Sequence, residues 1–232
     1  MSGPSPAASQ VPSRTFGAEL LALLRLAAPI ALVQLGMTAL NFVDVAMLGH
    51  HDPDALPAMA LGNNLAWAAS MFCFGAITAV DPLMSQAVGA RDHGAIPVLL
   101  GRGAVLAVLL AVPAALLLLP AATWLECSGQ PAHLIPAGAA YARWQTLALL
   151  PFLLYGLLRS LLSAHARLWP QVVTIVCGNL LNAALDWVLI FGKCGLPAMG
   201  ASGAAIATVL CRWLMLAGLL AFGWRDLGPH LR

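Results

Sequence analysis

Charge is scarce in this sequence: only 9% of the 232 residues are Asp, Glu, Lys or Arg, against about 25% in a soluble domain. So few charges cannot cover the surface of a soluble fold, which excludes that class. A net charge of +2, with no basic cluster, excludes a nucleic-acid-binding surface. The five cysteines (Cys73, Cys127, Cys177, Cys194 and Cys211) are scattered, odd in number and mostly inside apolar runs. No two have metal-ligand spacing, so they read as small membrane hydrophobes or free thiols. The opening MSGPSPAASQVPS has no basic start ahead of an apolar core, unlike a cleaved signal peptide. Residues 1–19 therefore read as a disordered cytoplasmic tail. No internal repeat and no soluble domain stand out.

Hydrophobic residues, at 61%, dominate instead. A helix needs about 20 apolar residues to cross a bilayer. Six stretches qualify: 24–48, 56–80, 97–123, 138–162, 169–192 and 201–223. The segments between them (HHDPDALP, DPLMSQAVGARDHGA, ECSGQPAHLIP, HARLWP and GKCGLPAMGAS) are rich in Pro, Gly or charge and read as loops. The fold class is all-α: an integral membrane bundle of six transmembrane helices over 20–224, with 225–232 starting a cytoplasmic connector. Lys and Arg concentrate in cytoplasmic loops. One face receives Arg14, Arg25, Arg91, Arg102, Arg159, Arg167, Arg225 and Arg232, and the other only Arg143 and Lys193. Both termini are thus expected in the cytoplasm, and the lipid bilayer is the first partner.

Charge inside a span costs at least about 2.5 kcal/mol at the helix centre, so it usually has a task. Gln34, Thr38, Asn41 and Asp44 follow one another by four, three and three residues and share one face of helix 1. Such a stripe faces protein or a wet cavity, not lipid. On helix 5, Thr174, Gly178, Asn182 and Asp186 lie four apart, again on one face. With the N-terminus inside, Asp44, Asp186 and Thr208 of helix 6 all fall about 6–11 Å below the outer boundary at 1.5 Å per residue. Two carboxylates, a hydroxyl and the Asn182 amide at one depth form an oxygen set suited to a proton or to Na⁺. Taken singly, either carboxylate could instead reach up to the nearby interface. Their common depth favours the shared site.

Arg212 lies deeper, one turn beyond Thr208. It reads either as a counter-ion to Asp44 or Asp186, or as a bridge to backbone carbonyls. Pro29 interrupts helix 1 and predicts a bend there. Trp67, Trp144, Trp187 and Tyr141 near span ends read as interfacial anchors. GASG at Gly200–Gly203 matches the Gly-x-Ser-Gly of six-helix intramembrane proteases. Those enzymes need a histidine on a later helix to activate the serine. Here the only later histidine is His230 in the tail, so the chain is not read as an enzyme.

Three stretches, in order and at matching spacing, resemble the multidrug and toxic compound extrusion (MATE) family, especially its NorM branch. The first is AAPIALVQLGMTALNFVDVAMLGH, with its proline and its acidic residue fifteen positions later. The second is DPLMSQAVGARD, with the Gln-x-x-Gly-Ala core at Gln86–Ala90. The third is NLLNAALDWVLIFGKCGLPAMGASGAAIATVLCRW. The resemblance implies a Na⁺- or H⁺-coupled antiporter of the cell inner membrane that exports small amphipathic organic cations and has no cofactor beyond its coupling ion. The family's cation site would fall on Asp44, Asn182, Asp186 and Thr208. Many members of the branch have Asn at the position of Asp186, so this chain mixes features of two branches. The family has two six-helix lobes around a central cavity. This sequence covers one of them, so it reads either as a truncated or split product or as a chain that pairs with a second lobe or with a second copy of itself. The alternative function is a non-transporting membrane protein, a vestigial lobe or an assembly subunit.

Overall fold

In the computed structural model, residues 16–49, 54–224 and 228 are described. Eight helices follow one another: α1 (Phe16–Leu48), α2 (Ala55–Thr78), α3 (Val80–Gly89), α4 (Ala95–Leu118), α5 (Ala121–Cys127), α6 (Ile135–Ala164), α7 (Trp169–Phe191) and α8 (Gly200–Phe222). Six are long and apolar enough to cross a membrane, with α3 continuing the α2 span. The sidedness of the burial pattern fits lipid as solvent. Phe72, Leu109 and Leu180 are 77%, 64% and 69% exposed, a waste of apolar surface in water but not in a bilayer.

The boundaries depart from the sequence expectation in three places. Helix α1 starts at Phe16, inside the stretch read as tail, while residues 1–15 lie outside the described ones. The predicted loop over 81–96 is mostly helix α3. Only Ala79 separates α3 from α2, and it keeps right-handed helical angles, so the chain crosses Pro82 in the first turn, where proline is tolerated. The third span ends early: α4 stops at Leu118, and Pro120 opens the short helix α5. The bend expected at Pro29 falls on a side chain outside the described set, and α1 is one helical element through that position. Arg225, His230 and Arg232 also lie outside.

Helix α6 is the mast of the bundle. It packs against α2, α3, α4, α5 and α8, while α1 docks mainly on α7 and α7 on α8. Without a hydrophobic force between helices in lipid, close backbone approach and interhelical hydrogen bonds carry the association. Gly203 of α8 shows the first: a Cβ there would stand 2.8 Å from the backbone C and O of Leu189 on α7. Asn179 of α7 shows the second, donating from Nδ2 to the Gly36 carbonyl of α1 at 3.0 Å.

The turn after α3 is a tight helix end. Arg91 takes a left-handed φ of 56°, its N–H reaches the Val88 carbonyl at 3.1 Å, and the Asp92 N–H reaches that of Ala87 at 3.0 Å. That pairing satisfies the last carbonyls of the helix. Asp92 Oδ1 then accepts from the N–H groups of Gly94 and Ala95, at 3.1 and 3.0 Å, and caps α4. The same closing geometry recurs after α6 with Ala166 at φ 55°, where Arg167 N–H reaches Leu162 O at 2.8 Å.

Candidate functional site

Asp44 near the end of α1, Asp186 near the end of α7, and Thr208 in the third turn of α8 meet at one end of the bundle. Helix spacing explains the meeting. α1 and α7 run in the same direction and α8 returns, so each reaches this level within about three turns of the same end. Asp44, Asn182 and Asp186 are 2%, 1% and 0% exposed. Thr208 Oγ1 lies 3.3 Å from Asp44 Oδ2, and the side chains of Asp186 and Asn182 also lie against the Asp44 carboxyl.

Four oxygens in this cluster receive no hydrogen bond: Asp44 Oδ1, Asn182 Oδ1 and both carboxylate oxygens of Asp186. Buried acceptors are almost always satisfied. Two carboxylates side by side repel, and burying oxygens without a partner is costly. The deficit is one of positive charge, which a proton or a small hard cation supplies. Thr208 is oriented for this. Its hydroxyl is 2.9 Å from the Ala204 carbonyl of its own helix, and a hydroxyl that donates there turns its lone pairs toward the carboxylates.

An apolar plug closes the cluster toward the bundle end. Leu48, Met59, Tyr141, Ile190, Ala201 and Ala205 pack there as one buried group. On the other side lies a cavity of about 570 Å³, lined by Gln34, Thr38, Asn41, Asp44, Thr208 and Arg212 among others. The polar stripe of α1 thus faces the cavity. The stripe of α7 does not. Thr174, Gly178, Asn182 and Asp186 are buried, Thr174 Oγ1 donates to the Pro170 carbonyl at 2.6 Å, and Gly178 abuts Met215 of α8. The cavity touches Asp44 and Thr208 but neither Asn182 nor Asp186. The cavity therefore meets the cluster at Asp44 and Thr208.

Arg212 forms no ion pair among the described residues. Its guanidinium stands over the Phe152 ring at 4.9 Å, a cation–π contact. Asp44 is near enough to feel its charge.

Helix α6 supplies residues that the sequence analysis did not place in the site. Tyr141 is no interfacial anchor: it is 1% exposed and lies beside Gln145 and Thr208. Close approach of α6 to α2 explains its burial, with Gly62 of α2 directly against Tyr141 Cβ and the Gly138 carbonyl. Gln145, 4% exposed, has an unpartnered Oε1. A signal for these residues exists in the spacing. Tyr141, Gln145, Ala148, Phe152, Tyr155 and Arg159 recur at alternating intervals of four and three, one continuous face of α6. Trp67, Trp144 and Trp187 are exposed, and Trp67 lines the cavity.

Comparison with known proteins matches this arrangement. The MatE family model covers residues 29–188. A probable multidrug resistance protein NorM of Mesorhizobium japonicum is 35% identical over 217 residues, 93% of this chain and 46% of that protein. A probable NorM of Burkholderia pseudomallei is likewise 35% identical, over 92% of this chain and 46% of its own length. The chain spans about half the length of these relatives. Among solved structures, the eukaryotic MATE transporter AtDTX14 superposes with a TM-score of 0.81 at 25% identity, over 92% of this chain and 47% of that one. From its sequence, its six-helix architecture and these matches, the chain belongs to the MatE family of multidrug and toxic compound extrusion membrane proteins.

Proposed function

We propose that this chain is the N-terminal lobe of a cation-coupled multidrug efflux antiporter of the cell inner membrane, with both termini cytoplasmic. The observation that carries the reading is the group of four buried, donor-less oxygens on Asp44, Asn182 and Asp186. Na⁺ or H⁺ enters from the cavity past Asp44 and is held by Asp44, Asn182, Asp186 and Thr208. The charge it brings draws α1 toward α7 and α8, because the ligands sit on all three helices. Gln34, Thr38 and Asn41 ride on α1, so the cavity wall moves with the ion. Exchange then follows from alternating access, with a second six-helix body facing this one across the cavity. That body is a second lobe or a second copy. The exported compounds are amphipathic organic molecules that fit a cavity with both apolar and polar walls.

Binding of the ion is the step to test, since it needs neither drug nor partner. The chain is purified into nanodiscs. Radioactive Na⁺ binding is then measured, and, without Na⁺, the infrared band of protonated carboxyl groups. Wild-type protein should show saturable Na⁺ binding or a carboxyl band, and Asp44→Asn should remove it. Neither signal in the wild type, or a signal indifferent to Asp44 and Asp186, would refute the reading.

A further inference from the structure

A second cavity, of about 610 Å³, lies in the crease between α2, α4 and α5. Leu65, Phe72 and Cys73 line it from α2. At about 100° per residue they stand opposite Asn63, Trp67 and Phe74 on that helix, the residues that line the site cavity. The crease therefore opens away from the site, onto the apolar outside of the bundle. Phe72 and Leu117 on it are 77% and 55% exposed, as side chains bathed in lipid can be. Ala68, Ala69 and Ala114 leave the room, and the α4 side runs from Leu110 to Leu118, a rise of about 12 Å. No lining residue is charged. The only side-chain N–H among them, the Trp124 indole, is already given to the Leu117 carbonyl at 2.8 Å.

A cation stands at one end of this trough. Arg143 of α6 donates from Nε to the Leu119 carbonyl at 3.0 Å, next to Leu117 and Leu118 of the crease. That bond caps the end of α4, where a positive charge is favourable. It uses one of five N–H donors, and the exposed Nη edge has no partner among the described residues. No carboxylate is within ion-pair distance of Arg143 among those residues either. Arg143 is also one of only two cations on its face of the sequence, the other being Lys193. We propose that the crease binds a phospholipid with a net negative headgroup, one acyl chain lying in the trough and the phosphate on the Nη edge of Arg143. Guanidinium takes phosphate oxygens in pairs, and an apolar trough without free donors suits a hydrocarbon chain. A zwitterionic headgroup brings an ammonium that finds no carboxylate beside Arg143, so the anionic lipid is preferred. The site stands apart from the cation cluster and does not rest on the transport reading.

Two tracer lipids with the same diazirine-bearing acyl chains test it, phosphatidylglycerol and phosphatidylcholine. Each is added at a few per cent to phosphatidylcholine nanodiscs holding the chain, irradiated, and its adducts are mapped by peptide mass spectrometry. Adducts on the crease are compared with those around Leu180, 69% exposed on α7. Phosphatidylglycerol should favour the crease about tenfold over the α7 face, the ratio expected for one charge-assisted contact, and phosphatidylcholine should label both evenly. Arg143→Gln should make phosphatidylglycerol behave like phosphatidylcholine, and Arg143→Lys should keep part of the preference. Ala68→Trp, which fills the trough and leaves Arg143 in place, should remove the crease adducts. Lys193→Gln, the other cation on that face, should change nothing. Gel filtration and circular dichroism report folding. If Arg143→Gln does not fold, the wild-type lipid pair and Ala68→Trp still decide. Even labelling by phosphatidylglycerol, equal enrichment of both lipids, or a preference that survives Arg143→Gln overturns the proposal.

Discussion

The Thr208 hydroxyl stands 3.3 Å from Asp44 Oδ2 across 164 residues of sequence, and 2.9 Å from the Ala204 carbonyl of its own helix. With one proton to give, it donates to one of them at a time. Donation to Ala204 leaves Asp44 short of a donor and presents lone pairs to whatever sits between the carboxylates. The same hydroxyl can therefore stabilise an empty Asp44 or ligate a cation beside it.

Asp44→Asn should separate function from stability. The amide cannot carry a proton between sides and weakens cation binding, yet it costs less to bury and can donate to the bare oxygens of Asp186. Efflux by a complete transporter containing this lobe should fall to background at equal expression. The purified variant should unfold later, by about 1 kcal/mol or more. Chemical denaturation in detergent and dye-efflux rates measure the two. Wild-type efflux in the variant would remove Asp44 from the mechanism.

Gly203→Ala should loosen the site from outside it. The added methyl would meet the Leu189 backbone at 2.8 Å, and backbone cannot swing aside as a side chain can. Overpacking of this kind costs about 1–3 kcal/mol. Because α7 and α8 carry Asp186 and Thr208, Na⁺ affinity should drop together with thermal stability. A variant as stable as wild type would show that the two helices do not approach so closely.

Ala166→Gly should raise stability. Ala166 holds a left-handed φ of 55°, a conformation that costs a non-glycine residue about 1–2 kcal/mol. Glycine's extra freedom in the unfolded chain takes back about 0.4–1 kcal/mol. A net gain of about 0.5–1 kcal/mol is expected. Ala164→Gly, inside the last turn of α6, is the control and should lose about 1 kcal/mol. Thermal melts of the two variants in one detergent compare them directly; equal shifts would speak against the turn geometry.

Orientation can be read with single cysteines in a cysteine-free background. His93 and His133 are both exposed, in turns at opposite ends of the bundle. An impermeant maleimide applied outside should label His133→Cys and spare His93→Cys. The reverse pattern would invert the topology drawn from the arginine bias.

The chain by itself should insert without transporting. Gln34, Thr38, Asn41 and Asn64 are exposed on the cavity side, a polar face that lipid does not satisfy. In vesicles with an imposed Na⁺ or proton gradient, no uptake of a fluorescent amphipath is expected from monomers. Asn41→Cys should crosslink two copies through that face. Gradient-driven uptake by a chain that yields no dimer on crosslinking would defeat the two-body reading.

The number and order of the long helices are legible in the lengths of the apolar runs, because the hydrocarbon thickness imposes one scale on every span. Helical periodicity also puts Gln34, Thr38, Asn41 and Asp44 on one face. Loops are less legible. DPLMSQAVGARD is polar enough to read as a connector, yet Val80, Met84 and Ala87 bury against the bundle and keep it helical, which is tertiary packing overriding a turn-rich composition. Tyr141 misleads for a related reason. Its place near a span end is what an anchor shows, and only the glycine approach of α2 turns it inward.

By itself, then, the sequence determined which segments cross the membrane and which residues share each helix face, because both depend on distances along one chain. The tertiary structure alone decided which faces meet. Periodicity treats the stripes of α1 and α7 alike, but the packing of α8 against α7 buries Asn182 and Asp186 and leaves Asp44 on the cavity wall. It also stacked Arg159, Phe74, Phe152 and Arg212, drawn from three helices, into one column. No spacing within a helix encodes such a contact, since it arises from how tightly small residues let neighbouring backbones approach.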